Sequence, residues 1–269
     1  MTAVDDTRAS TLPSRNPALN AARMRLSLVA ALFVLAAIGW VWTAREMRGM
    51  DNGPWTSLGG VGWFLGVWVV MMGAMMFPSV APTVALYSRL IRERSRLSPY
   101  AFAGGYLFTW AVAGLAAYGI GAGAARIFGD SISWSNAGRT IAGVTLLVAA
   151  VYELTPLKNV CLGKCRSPLG ALLGSWRDGV GGATRMGMKN GAWCVGCCWA
   201  LMASLFALGV MSIAWMAFVA GLIAIEKLLP WRRVATFGVI TLLALLGVLL
   251  LAAPDSIAGL TIPSSGMMM

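Results

Sequence analysis

Sulfur is the functional chemistry this chain offers. Its five cysteines fall in two short clusters. Cys161 and Cys165 lie in Lys158-Asn-Val-Cys-Leu-Gly-Lys-Cys-Arg166, and Cys194, Cys197 and Cys198 lie in Gly191-Ala-Trp-Cys-Val-Gly-Cys-Cys-Trp-Ala-Leu-Met202. There is no histidine, so a site built here rests on sulfur, which selects soft metals or redox chemistry. Cys161 and Cys165 are four residues apart, and Cys194 is three and four residues from Cys197 and Cys198. On helices, such spacings put each cluster's sulfurs along one face. Cys-x-x-Cys with a second pair is a metal-ligand pattern, although the x3 spacing of the second pair departs from a zinc finger. A single cysteine in an apolar stretch would be read as a small buried hydrophobe. Five confined to two clusters argue for a site. A cytoplasmic setting disfavours disulfides among them.

A second sulfur type precedes the cysteines, in Trp68-Val-Val-Met-Met-Gly-Ala-Met-Met-Phe-Pro-Ser79. Met71 with Met75, and Met72 with Met76, are i, i+4 pairs that make a thioether stripe on one helix side. Pro78 and Pro82 remove intrahelical hydrogen bonds, and helices broken in this way are tolerated at membrane depth where they line a cavity or pack in protein. Methionine is also ordinary core filler; beside the cysteines the stripe reads as part of a soft-metal path. Glu153 ends an apolar stretch just before the first cysteine cluster and is a candidate ligand, since ionisable groups at membrane depth are functional candidates. Glu226 adjoins Lys227 and is expected to pair with it. Tyr106 and Tyr152 are assigned to interfaces and packing, and Gly119, Gly121 and Gly123 to close helix packing.

The elements that position these residues are membrane helices. Of the 269 residues 58% are hydrophobic and 12% charged, against about a quarter charged in soluble domains. The fold class is therefore all-α, a polytopic transmembrane bundle. Apolar stretches at about 26–44, 60–87, 100–127, 137–154, 191–208, 211–229 and 234–253 are each near or above the ~20 residues that cross a bilayer. This gives about seven spans, or six if Leu208-Gly-Val-Met211 does not turn. The first stretch is too long for the apolar core of a cleaved signal peptide. Residues 1–25 are expected to be a disordered cytoplasmic tail, 26–253 the transmembrane domain and 254–269 a short external tail. The net charge of +11 reflects basic loops rather than a nucleic-acid partner. With seven spans the amino tail, Arg89 to Arg96, the 155–190 loop and Lys227, Arg232 and Arg233 share one side. Only Arg45, Arg48, Arg126 and Arg139 lie on the other. The positive-inside rule then places the amino terminus in the cytoplasm and the carboxyl terminus outside. Both cysteine clusters fall at the cytoplasmic membrane boundary, the second in the first turns of its span.

These motifs resemble a bacterial family of domains of unknown function described as predicted metal-binding integral membrane proteins. The resemblance rests on Met71-Met-Gly-Ala-Met-Met-Phe-Pro-Ser79, on Thr155-Pro-Leu-Lys158 with Cys161 and Cys165, and on Cys194-Val-Gly-Cys-Cys-Trp-Ala-Leu-Met202. Gly209-Val-Met211 and Glu226-Lys227 also fit. It covers about residues 60–230 and implies the fold, a bacterial inner-membrane location and metal binding, with no established reaction. Glu153 stands where the family more often carries Gln.

Three functions follow from the residues. The first is soft-metal binding, with Cu(I) as the ion, for transport or handover to a chaperone or acceptor protein, because thiolates and thioethers together select Cu(I). The second is a membrane thiol–disulfide oxidoreductase using Cys194 and Cys197. The third is a structural zinc site tying the 155–190 loop to the fifth span. A metal carrier is favoured over an enzyme.

Overall fold

The computed structural model describes residues 17–46, 59–90, 97–128, 138–174, 176–209, 213–229 and 231–252. Among these residues the chain is all-helical: α1 (Pro17–Glu46), α2 (Val61–Leu90), α3 (Ser98–Phe128), α4 (Arg139–Glu153), α5 (Pro156–Arg166), α6 (Pro168–Leu173), α7 (Gly179–Gly209), α8 (Ile213–Leu228) and α9 (Arg232–Ala252). Residues 1–16 of the tail expected at 1–25, the tail expected at 254–269, and the basic residues Arg92, Arg94 and Arg96 lie outside the described residues. Helix α1 takes in 17–25, which the sequence assigned to the tail.

Four helical stretches are long and apolar enough to cross a membrane: Leu26–Glu46, Val61–Ser88, Ser98–Ile127 and Arg233–Ala252. Helices α4 and α5 meet at 71° and would supply a fifth if they form one broken span. Helix α8, with 16 residues, is shorter than the ~20 of a usual span. Many large apolar side chains face outward, among them Phe33, Phe108, Ile120, Phe237 and Leu245, as expected of helices whose solvent is lipid.

Three features differ from the sequence expectation. The stretch 155–190 is not a loop but holds α5, α6 and the first turns of α7. Helix α2 runs unbroken through Pro78 and Pro82. Gly119 and Gly123 face open space, and the close helix approaches occur elsewhere. A Cβ on Gly105 would lie 2.2 Å from the Thr184 carbonyl oxygen, and one on Gly187 would lie 2.0 Å from that of Phe102. A Cβ on Gly191 would meet Thr109 at 2.9 Å. Backbones this close require residues without side chains, the small-xxx-small logic of membrane helix packing. Gly187 and Gly191 are one turn apart on α7 and let α3 lie against it, with Thr109 donating to the Met188 carbonyl at 3.1 Å.

Helix directions follow from who meets whom. Phe102 meets Gly187 and Thr109 meets Gly191, so α3 and α7 run parallel. Tyr87 stacks on Phe102, whereas Trp68 donates to the Trp110 carbonyl, so α2 runs antiparallel to α3. Gly143 packs on Gly247 and Leu251, and Gly247 packs on Leu147, so α4 and α9 are antiparallel. Lys227, near the end of α8, reaches Cys194, halfway back along α7. Helices α7 and α8 therefore run antiparallel; residues 210–212, within the Leu208-Gly-Val-Met211 stretch where a turn was expected, lie outside the described residues.

Candidate metal centre

The second cysteine cluster sits in the middle of α7, not in its first turns, because the helix begins at Gly179. Gly179-Val-Gly-Gly-Ala-Thr reads locally as loop, since glycine is a poor helix former; packing on α3 overrides that preference. The first cluster sits on α5. Thr155 caps this helix by accepting from the Lys158 amide at 3.3 Å, and Pro156 occupies its first position, a pre-organised start. The bend between α4 and α5 is tied by Lys158, whose Nζ lies 2.5 Å from Glu153 Oε1 and 2.8 Å from Glu226 Oε2. All three side chains are buried. The Tyr152 hydroxyl donates to the Gly196 carbonyl at 2.5 Å, fixing α4 to α7 beside the cysteines.

These constraints bring the two clusters together. The Sγ atoms of Cys165, Cys194 and Cys197 all lie within 4.8 Å of one another, with Cys197 and Cys165 3.7 Å apart. All five cysteines are free thiols. Met76 Sδ lies 3.9 Å from Cys194 Sγ, so α2 adds a thioether to three thiols from α5 and α7. The remaining sulfurs are placed differently. Cys198 donates to the Cys194 carbonyl at 2.9 Å. Cys161 packs against Gly196, where a Cβ would come within 2.9 Å of its sulfur; only glycine admits it. Met71, Met72 and Met75 are buried on α2, Met72 one turn from Met76.

Three sequence assignments change. Glu153 is engaged by Lys158 rather than brought to the thiols. Glu226 does not pair with Lys227: it turns to Lys158, and Lys227 turns to the sulfurs. Lys227 Nζ lies 3.0 Å from Cys194 Sγ, 3.7 Å from Met76 Sδ and 3.4 Å from Ser79 Oγ. Tyr106, assigned to packing from the sequence, donates its hydroxyl to Cys194 Sγ at 3.0 Å and is buried. Cys194 is thus the hub of the site, touched from α2, α3 and α8. No local sequence signal marks Tyr106 as a partner of the cysteines, and Glu226-Lys227, although it fits the resembled family, points to a local pair rather than to the sulfurs, because each residue arrives from a different helix.

The donor set fits copper. Three thiols and a thioether in a buried, histidine-free site are soft ligands of the kind that bind Cu(I), with bonds to sulfur near ~2.3 Å for a comparable ion. Each thiol lies close enough to the others for one ion to reach all three after small side-chain shifts. A family model described as "PpoB2: Copper chaperone" matches residues 65–250, which include every residue of this site. No curated protein and no solved structure matches the chain. The match spans most of the chain and agrees with the metal-binding family its motifs resemble: the chain belongs to the copper chaperone family.

Proposed function

We propose that this protein is a membrane-embedded Cu(I) chaperone that takes copper along the α2 methionines and holds it on Cys165, Cys194 and Cys197 for handover to an acceptor protein at the cytoplasmic face. The convergence of three thiols from two separate helices within 4.8 Å carries the reading. Met76 is the junction between stripe and trap. A neutral thioether holds Cu(I) more loosely than a thiolate does, so Met71, Met72 and Met75 suit transit, while the thiols suit retention. In this reading the chain crosses a bacterial inner membrane seven times, with its amino terminus in the cytoplasm. The parallel course of α3 and α7 supports that count, because third and fifth crossings must run the same way. The exposed Arg185 and Lys189 support a position of the first half of α7 at the membrane surface. Cys194 then lies about 7 Å of helix rise beyond Lys189, just inside the apolar layer.

The test is metal retention by protein purified anaerobically in detergent, with competition by a Cu(I) chelator. Wild type is expected to hold one Cu(I). Cys165→Ser, Cys194→Ser and Cys197→Ser are each expected to lose high-affinity retention, and Cys161→Ser and Cys198→Ser to keep it. A structural zinc site would use the same thiols. Zinc that co-purifies and resists displacement by Cu(I) would establish that reading instead.

A further inference from the structure

Among the described residues Lys227 is the one cation shown in contact with the sulfur site, and the proposed copper site does not by itself require it. Its Nζ reaches two of the site's sulfurs, Cys194 Sγ at 3.0 Å and Met76 Sδ at 3.7 Å. Its other polar contact is the neutral Ser79 hydroxyl, 3.4 Å away. The neighbouring carboxylate, Glu226, is turned away to Lys158. Among the described residues no carboxylate lies within ion-pair distance of Lys227, so its charge is directed at the metal position without local neutralisation. Adjacent helical residues do not share a face, which is why Glu226 and Lys227 serve different neighbours.

A fixed positive charge beside a metal position acts on the net charge of the complex. Three thiolates around a monovalent ion leave a centre of charge −2, and around a divalent ion a centre of −1. Lys227 stabilises both, but the monovalent complex more, because the attraction scales with the charge it faces and is weakly screened in a buried site. We propose that Lys227 is the valence selector of the site, holding it to monovalent soft cations against divalent ions such as Zn(II). The inference rests on the metal-site reading above and adds the determinant of its specificity.

The experiment measures Ag(I), an air-stable surrogate for Cu(I), and Zn(II) affinities at one pH in wild-type protein, Lys227→Gln, Lys227→Leu and Lys227→Arg. Gln keeps a hydrogen-bond donor, Leu keeps apolar bulk, and neither adds a metal-binding sulfur. The ratio of Ag(I) to Zn(II) affinity cancels effects common to both ions, including thiol deprotonation and partial loss of packing. The expected result is a ratio lowered by roughly ten- to a hundredfold in Gln and Leu, as a lost charge at close range implies, and kept in Arg. An unchanged or raised ratio in the neutral variants would overturn the proposal, and so would the same fall in Arg. Should the neutral variants not fold, wild type is compared with a soluble three-cysteine peptide that lacks lysine. A wild-type ratio no higher than the peptide's would overturn the selector role. Wild-type protein that binds neither ion would overturn the metal reading itself; binding without a Lys227 effect would overturn the selector role alone.

Discussion

At the scale of single residues the site is organised by contacts that converge on one sulfur. Cys194 accepts from Tyr106 at 3.0 Å, meets Lys227 at 3.0 Å and lies 3.9 Å from Met76. Outer partners of this kind orient a metal ligand, and their loss typically costs roughly ten- to a hundredfold in metal affinity. Tyr106→Phe is therefore expected to weaken Cu(I) retention by about tenfold while leaving helical content and detergent stability near wild type, since the ring's packing is kept. A chelator titration beside a melting curve checks this. Unchanged affinity would reduce the Tyr106 contact to filler. The sulfurs themselves were legible in the sequence, because five cysteines in two clusters without histidine leave few other readings. Their partners were not. Tyr106 is an ordinary membrane-helix residue, and Lys227 a membrane-depth cation whose evident partner is Glu226, until a second helix puts a cysteine beside each. Glu226 and Lys227 invite a local ion pair that helix geometry forbids, since consecutive side chains point about 100° apart. Glu153 carried the right signal, a buried charge at membrane depth, but the charge binds the α4–α5 corner together through Lys158.

Among the helices, the decisive contact is that of α3 with α7. Gly105, Gly187 and Gly191 let the backbones touch, and this sets the depth at which Tyr106 meets Cys194. A side chain at Gly187 would strike the Phe102 backbone, which cannot swing aside as a rotamer can. Gly187→Val is thus expected to destabilise the protein by about 1–3 kcal/mol, the usual cost of overpacking, and to weaken Cu(I) retention with it as α3 moves off. Gly119→Ala, whose new Cβ meets nothing within 4 Å, is expected to leave retention intact and to change stability by no more than about 1 kcal/mol, upward through helix propensity. Thermal unfolding in detergent separates the two. Equal losses for both would show that glycine matters here for flexibility rather than for contact. The same helix pair shows where sequence reading stops. The apolar half of α7 was legible as a span from its hydrophobic run. The Gly179–Asn190 half was not, because its glycines and basic residues are loop-like locally, and only the docking of α3 makes them helical. The 71° turn from α4 into α5 is marked in sequence by Thr155-Pro156, a cap followed by an N1 proline, yet the Lys158–Glu226 contact at that corner comes from a distant helix.

For the whole molecule, the packing directions bear on how the chain sits in a membrane. Helix α2 is antiparallel to α3, α3 is parallel to α7, α8 returns along α7, and α4 is antiparallel to α9. An alternating path in which α1, α2, α3, α4, α7, α8 and α9 each cross once satisfies every one of these relations. A path that skips one crossing between α3 and α7 would set those two helices against each other. On that proposed path Lys158, Lys164, Arg166, Arg177, Arg185 and Lys189 share one side of the membrane, the side the positive-inside rule assigns to the cytoplasm. In the proposed seven-crossing topology the carboxyl terminus is expected outside. A reporter active only in the periplasm, fused after Met269, is expected to give signal, and one fused within α6 is expected to give none. Signal from the α6 fusion and silence after Met269 would invert the protein. The sulfur site would then face outward, and handover on the cytoplasmic side would fail with it. Silence from both fusions would indicate an even number of crossings, placing both termini in the cytoplasm. With α6 and the carboxyl terminus on the same side, α7 to α9 would cross an even number of times, so with α7 spanning the lost crossing would have to be α8 or α9. Of the two, α8 is the shorter, at 16 residues. A re-entrant α8 would start and end on the outer side, where α7 ends, whereas Lys227 in its last turn meets Cys194 midway along α7, a contact that favours α8 as a crossing and α9 as the one lost.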